Sequence, residues 1–86
     1  CWMAYNNLGV ELDEQGHLEE AMDHYLMALR IKPDYVDAHY SLGVVLEKQD
    51  RIEEAMDYYL KALQINPKYL RAQYNMGLAM KIIQCY

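Results

Sequence analysis

Apolar positions recur along this chain in steps of three and four, with polar residues between them. Ala4, Leu8 and Leu12 come every four residues. That spacing lines side chains along one face of an α-helix and predicts a first helix over 2–15. Gln15-Gly16 ends it, since glycine reaches the left-handed backbone a helix exit often needs. Leu18, Ala21, Met22, Tyr25, Ala28 and Leu29 mark the buried face of a second helix over 18–31. Its acids Glu19, Glu20 and Asp23 lie near the start and Arg30 and Lys32 near the end, the order the helix dipole favours. Pro33 then blocks continuation, having no amide hydrogen to donate.

The same order returns. Ala38, Leu42 and Leu46 share one stripe, and Ile52, Ala55, Met56, Tyr59, Ala62 and Leu63 the next, before Pro67. Asp50 stands where the first turn had glycine, which is tolerable because aspartate visits the left-handed region more easily than most residues. Ala72, Met76 and Met80 place a fifth helix over 69–84. Laid over residues 36–69, residues 2–35 match at 18 of 34 positions without a gap. The chain is therefore an internal repeat of period 34. It forms one array over 1–86: repeat one at 2–35, repeat two at 36–69, and a partial repeat or capping helix at 70–86.

Gly9, Gly43 and Gly77 fall mid-helix at one phase, where glycine costs about 1 kcal/mol against alanine. Close approach of the partner helix at Ala21 or Ala55 is the expected compensation, small residue against small. Tyr25 and Tyr59 fall on core faces, and their hydroxyls need a partner or water at the edge. Asp57 and Lys61, four apart, form an expected surface pair of ~0.2–0.5 kcal/mol.

Leu8-Gly9, Gly16, Ala21, Tyr25, Ala28 and Pro33, echoed by Leu42-Gly43, Ala55, Tyr59, Ala62 and Pro67 and in part by Met76-Gly77, resemble the tetratricopeptide repeat. The likeness covers practically the whole chain. Two positions depart from it: the usual early aromatic is Tyr5 in copy one but His39 and Gln73 later, and the turn glycine of copy two is Asp50. The resemblance implies an all-α, right-handed superhelical stack of antiparallel helix pairs, two hairpins plus a terminal fifth helix. The first helix of each pair would line a concave groove that holds a peptide or a partner helix.

Composition narrows the partners. A net charge of −5 argues against nucleic acid and anionic membrane surfaces. No apolar run is long enough to span a bilayer and no signal peptide is visible, which favours the cytoplasm. The chain starts without Met and stops inside a repeat, so it reads as a piece of a longer one. Cys1 and Cys85 lie at opposite ends without metal-ligand spacing and are expected as free thiols. His17, His24 and His39 offer no i, i+4 pair on one helix, so no metal is expected. With no nucleophile–base set and no phosphate loop, neither an enzyme nor a cofactor is expected.

The first helix of each pair carries a second apolar face. Residues two beyond the stripe point about 200° away. On these grounds Asn6, Val10, Asp37, Tyr40, Val44, Lys48, Arg71, Tyr74, Leu78 and Lys81 are the candidate groove, a half-apolar wall rimmed by mixed charge, with Lys48, Arg71 and Lys81 selecting an acidic segment. The same residues could instead be contacts between neighbouring repeats. A carboxylate clamp of the kind some family members use would fall on Asn6, Val10, Ser41, Arg71 and Asn75. Only Arg71 keeps that chemistry, so a chaperone-tail adaptor is not expected. The expected function is a non-catalytic scaffold for a protein or peptide partner. The alternative is a self-assembly unit stacking end to end into a homo-oligomer through Trp2, Met3, Met76, Met80 and Ile83, helped by an acidic front (residues 2–35, net −5) and a basic back (residues 70–86, net +2).

Overall fold

The computed structural model of the chain describes residues 1–84. Five α-helices follow one another: α1 Trp2–Glu14, α2 Leu18–Ile31, α3 Val36–Lys48, α4 Ile52–Ile65 and α5 Leu70–Gln84. The bounds of α1, α2 and α5 lie within a residue of the ranges the apolar spacing predicts. Short connections force neighbours to run antiparallel, and α1 pairs with α2, α3 with α4, while α2–α3 and α4–α5 contacts join the pairs. Cys1 is exposed with a free thiol; Cys85 lies outside the described residues. Both intra-pair turns use the left-handed backbone, Gly16 at φ +85° and Asp50 at φ +62°. Glu19 and Glu20, then Glu53 and Glu54, occupy the first turns of α2 and α4.

The core forms two linked clusters. Ala21, Tyr25, Leu42 and Val45 make one, and Leu46, Ala55, Tyr59, Ala62 and Ala72 the other. Met22 and Tyr58 pack against both. Each cluster mixes residues from consecutive pairs, so neither hairpin closes a core alone, as expected of a solenoid.

The mid-helix glycines pack differently from the small-on-small seam expected. A Cβ on Gly9 would lie within 3.0 Å of three ring atoms of Tyr25, and one on Gly43 equally close to Tyr59. The compensation is therefore a tyrosine ring laid flat on bare backbone, four residues beyond Ala21 or Ala55. A large ring fills the gap because it buries more apolar surface than alanine could. At Gly77 a Cβ would meet nothing within 4 Å.

The apolar stripe of the first helices also behaves differently in each copy. Ala38, Leu42 and Leu46 are buried, but Leu8 is 47% exposed and Met80 45%. In α3 the stripe packs against both α2 and α4, as Leu42 lies with Ala21 and Tyr25 and Leu46 with Ala55 and Tyr59; among the described residues Leu8 and Met80 have no such cover. Lys61 does not pair with Asp57; its ammonium sits 4.8 Å from the Tyr58 ring centroid. The ring face outcompetes a solvated carboxylate whose pairing is worth only tenths of a kcal/mol.

His39 and Gln73, the two departures at the early aromatic position, play one role. His39 Nε2 bonds Pro33 O at 2.9 Å, and Gln73 Nε2 donates to Pro67 O. A side-chain donor at this phase caps the carbonyl of the proline that ended the previous helix.

Candidate functional site

The first helices α1, α3 and α5 line one side of the array. Between them lies a groove of about 290 Å³. Asn6 and Val10 enter it from α1, Tyr40 and Val44 from α3, Arg71 from α5, and Asp37 from the start of α3. These six were expected there. Tyr74, Leu78 and Lys81 do not line it. They lie further along α5, where Tyr74 is 69% exposed. Lys48 stands at the groove's far end with its ammonium 2.6 Å from Asp13 Oδ1. Its charge is thus neutralised within the molecule and ties α3 to α1.

Tyr40 serves both of the roles weighed for it. Its ring packs 5.9 Å from that of Tyr59 and 5.6 Å from that of Tyr69, while its edge faces the groove. Asn6 is only 7% exposed, and its Oδ1 has no hydrogen-bond partner. Arg71 forms no ion pair among the described residues, although it lines the groove beside Tyr69. Asp37 accepts a 2.6 Å hydrogen bond from the Tyr69 hydroxyl.

Four lining residues were not among those expected: Asp13, Tyr25, Ser41 and Tyr69. Three of them belong to a polar device that repeats with the chain. The Tyr59 hydroxyl donates to Glu47 Oε1 at 2.7 Å and accepts from Asn75 Nδ2 at 3.2 Å. Thirty-four residues earlier, Tyr25 lines the groove beside Ser41 and the Asp13 carboxylate. Each core tyrosine thus reaches through the pair to lie between an acid of its own pair and a polar residue of the next, and Tyr25 lines the groove there. The sequence held the signal: an acid at 13 and 47, and a small polar side chain at 41 and 75.

These tyrosines are held neutral. Burial, followed by the nearby Asp13 carboxylate, pushes Tyr25 from 10.0 up to about 12, against the lowering effect of Ser41. Burial also raises Tyr59 and Tyr69. Folded-state values above the unfolded one contribute stability that is complete below pH 10.0 and is lost as the pH climbs through about 12. Over that interval the unfolded chain ionises first and the equilibrium shifts toward it. The urea midpoint should therefore fall steeply between about pH 10 and 12, and Tyr25→Phe should shrink the fall. A midpoint flat across that range would contradict the network.

Among the described residues, no three His, Cys, Asp or Glu side chains gather as a metal site would require, and no helix is long and apolar enough to cross a membrane. A TPR repeat model matches residues 11–50, and a tetratricopeptide repeat model matches residues 36–69. Among curated proteins, none matches the chain. A crystal structure of MamA superposes with a TM-score of 0.91 at 30% identity, covering 94% of this chain and 47% of that one. A second MamA crystal structure gives 0.90 at 30% identity, covering 94% and 44%. The chain spans less than half the length of either. The two family models together take in residues 11–69, their period is the one that places a tyrosine on each buried glycine, and so the chain belongs to the tetratricopeptide repeat family.

Proposed function

We propose that the groove between α1, α3 and α5 holds a short extended peptide carrying an acidic residue. Tetratricopeptide repeats mediate protein–protein interactions and are generally non-catalytic. The observation that carries the finer reading is the pairing of unmatched polar groups with an apolar floor. Val10, Tyr40 and Val44 supply that floor, while among the described residues Arg71 has no ion-pair partner and the buried Asn6 Oδ1 no hydrogen-bond partner. Burying an unpaired amide is unfavourable unless something completes it, and a peptide backbone offers both donor and acceptor. The groove's size suits side chains of an extended segment better than a whole helix, which is 10–12 Å across.

A library of phage-displayed linear peptides selected on the chain should yield Asp- or Glu-containing sequences. Arg71→Glu should weaken the selected peptides at least tenfold, since a charge-assisted hydrogen bond contributes about 1.5–3 kcal/mol. Val10→Asp, at a partly exposed position, should do the same without unfolding the chain. Peptides that bind both variants unchanged would sink the proposal, as would a selection that enriches nothing.

Stacking of copies end to end is the second reading. The apolar residues left exposed at the two ends, Met3 and Leu8 at the front and Leu70, Tyr74 and Met80 at the back, favour it. The shapes do not. The face of α1 that holds Leu8 corresponds to the face of α3 covered by α2, and α5 lacks a counterpart of α4. Each end is short of the same kind of helix, so neither supplies what the other is missing. Trp2 is half-buried beneath the Lys32 ammonium, 5.4 Å from its ring centroid, and Met76 packs against the second core cluster. Light scattering that shows a strict monomer across concentration would dispose of stacking.

A further inference from the structure

Some of the differences between copies reverse charge, and two of these reversals share one corner. The turn between α2 and α3 carries Lys32 and Asp34, and α3 opens with Val36 and Asp37. Thirty-four residues later the charged positions read Asn66, Lys68 and Arg71. Both acids have become bases, and the base has become an amide. At the first turn Lys32 neutralises Asp34 at 3.3 Å. At the second, the Asn66 side-chain carbonyl instead accepts the Lys68 backbone N–H at 3.1 Å. Among the described residues, neither Lys68 nor Arg71 forms an ion pair. These two cations line a hollow of about 460 Å³ between the first turn of α3 and the α4–α5 turn. Asp37 is the acid on its wall, and the Tyr69 hydroxyl already donates to that carboxylate. Asp37, Tyr69 and Arg71 line the groove as well as this hollow. The two are therefore chambers of one trough, with Arg71 common to both.

We propose that this hollow is a second subsite for the peptide of the groove, taking a second acidic side chain against Lys68. The inference rests on the groove reading, in which Arg71 meets the first acid. Two bases and one acid give the hollow a net charge of +1 in a chain of net −5. An extended peptide sets alternate side chains on one face, about 7 Å apart. A motif of two acids with one residue between them therefore turns both carboxylates to the same wall. One meets the Arg71 guanidinium and the other the Lys68 ammonium. Lys68 is exposed, so its pair is screened by salt and serves selection more than tightness. The α2–α3 turn, where Asp34 and Asp37 hold the same two phases, offers such a motif no cation to match. Charge thus fixes the acidic motif at the α4–α5 end of the trough and sets the register of the rest of the peptide along Val44, Tyr40 and Val10.

The probe is the peptide acetyl-Ala-Val-Glu-Val-Glu-Val-Ala-amide, whose blocked ends carry no charge. It is titrated into the full, nitrogen-15-labelled chain and followed by amide chemical shifts. Two twins carry Gln in place of the first or the second Glu. The doubly acidic peptide is expected to bind about fivefold more tightly than either twin, the ratio an exposed ion pair supplies near the top of its usual range. Its binding should shift the amides of Lys68 and Arg71 together with those of Val10 and Val44. Lys68→Gln should erase the advantage and leave the twins as they were. Against Lys68→Asp, one of the two peptides that replace a single Glu by Lys should regain it, a rescue that a structural role for Lys68 would not give. Lys68 is exposed on a turn, so both variants fold. Equal affinity of the doubly acidic peptide and its twins overturns the proposal, as does an advantage that survives Lys68→Gln. In both cases, binding that still falls with Arg71→Glu leaves the groove reading standing. Absence of binding by all three peptides overturns the subsite even where the phage selection yields groove binders. A selection that enriches nothing removes groove and subsite together.

Discussion

Tyr59→Ala should leave the chain close to unfolded at room temperature. The ring is fully buried, lies against Gly43, packs with Tyr40 and anchors the second core cluster. Removing a buried aromatic costs about 3–5 kcal/mol. A domain of this size holds on the order of 4–13 kcal/mol in total. The change also leaves the Glu47 carboxylate and the Asn75 amide without their shared partner, a further penalty of about 1–3 kcal/mol if they stay dry. Tyr59→Phe isolates that second contribution, since the ring remains and only the hydroxyl goes. The expected order of midpoints, followed by circular dichroism at 222 nm through thermal unfolding, is native above Phe above Ala. The Ala variant should sit well over 10 °C below the native chain, at about 4–8 °C per kcal/mol. A loss of only a few degrees would mean that Gly43 and Tyr59 do not form the seam described.

Gly43→Ala should destabilise the fold although alanine is the better helix former. In an open helix the change is favourable by about 1 kcal/mol. Here the added methyl meets the Tyr59 ring within 3.0 Å at three atoms. The ring cannot swing aside, because Glu47 and Asn75 hold its hydroxyl and Tyr40 packs on its face. Overpacking of this kind costs about 1–3 kcal/mol and wins over the propensity gain. Gly77→Ala is the control. The same substitution at the same phase meets no atom within 4 Å, so only the propensity acts and the chain should gain up to about 1 kcal/mol. Opposite signs at Gly43 and Gly77 under the same urea titration are the expected result. Equal signs would show that backbone preference, not contact with tyrosine, governs these positions.

These two experiments also locate the boundary between what the chain reveals as text and what it reveals as an object. The helices were legible, because a 3.6-residue period and a proline at each repeat end act locally. Six of the ten expected groove residues do line the groove, because they share a phase on helices whose inner face follows from the family's architecture. Lys48 was harder to read. Whether a surface lysine is free depends on what lies across from it, and Asp13 is 35 residues away in sequence. Tyr74 and Leu78 share a phase with Tyr40 and Val44 but not their setting, since among the described residues no further inner helix faces them across α5.

By itself the sequence determined the period, the five helices and the membership of each residue in a face. Local spacing encodes those features, and a repeat states them twice. The tertiary structure alone decided which faces are covered. It put a tyrosine on Gly9 and Gly43 and left Gly77 bare, buried Leu42 and exposed Leu8, and neutralised Lys48 while leaving Arg71 unpaired. Identical letters at identical phases acquire different surroundings because burial depends on the neighbour a helix has rather than on its own sequence.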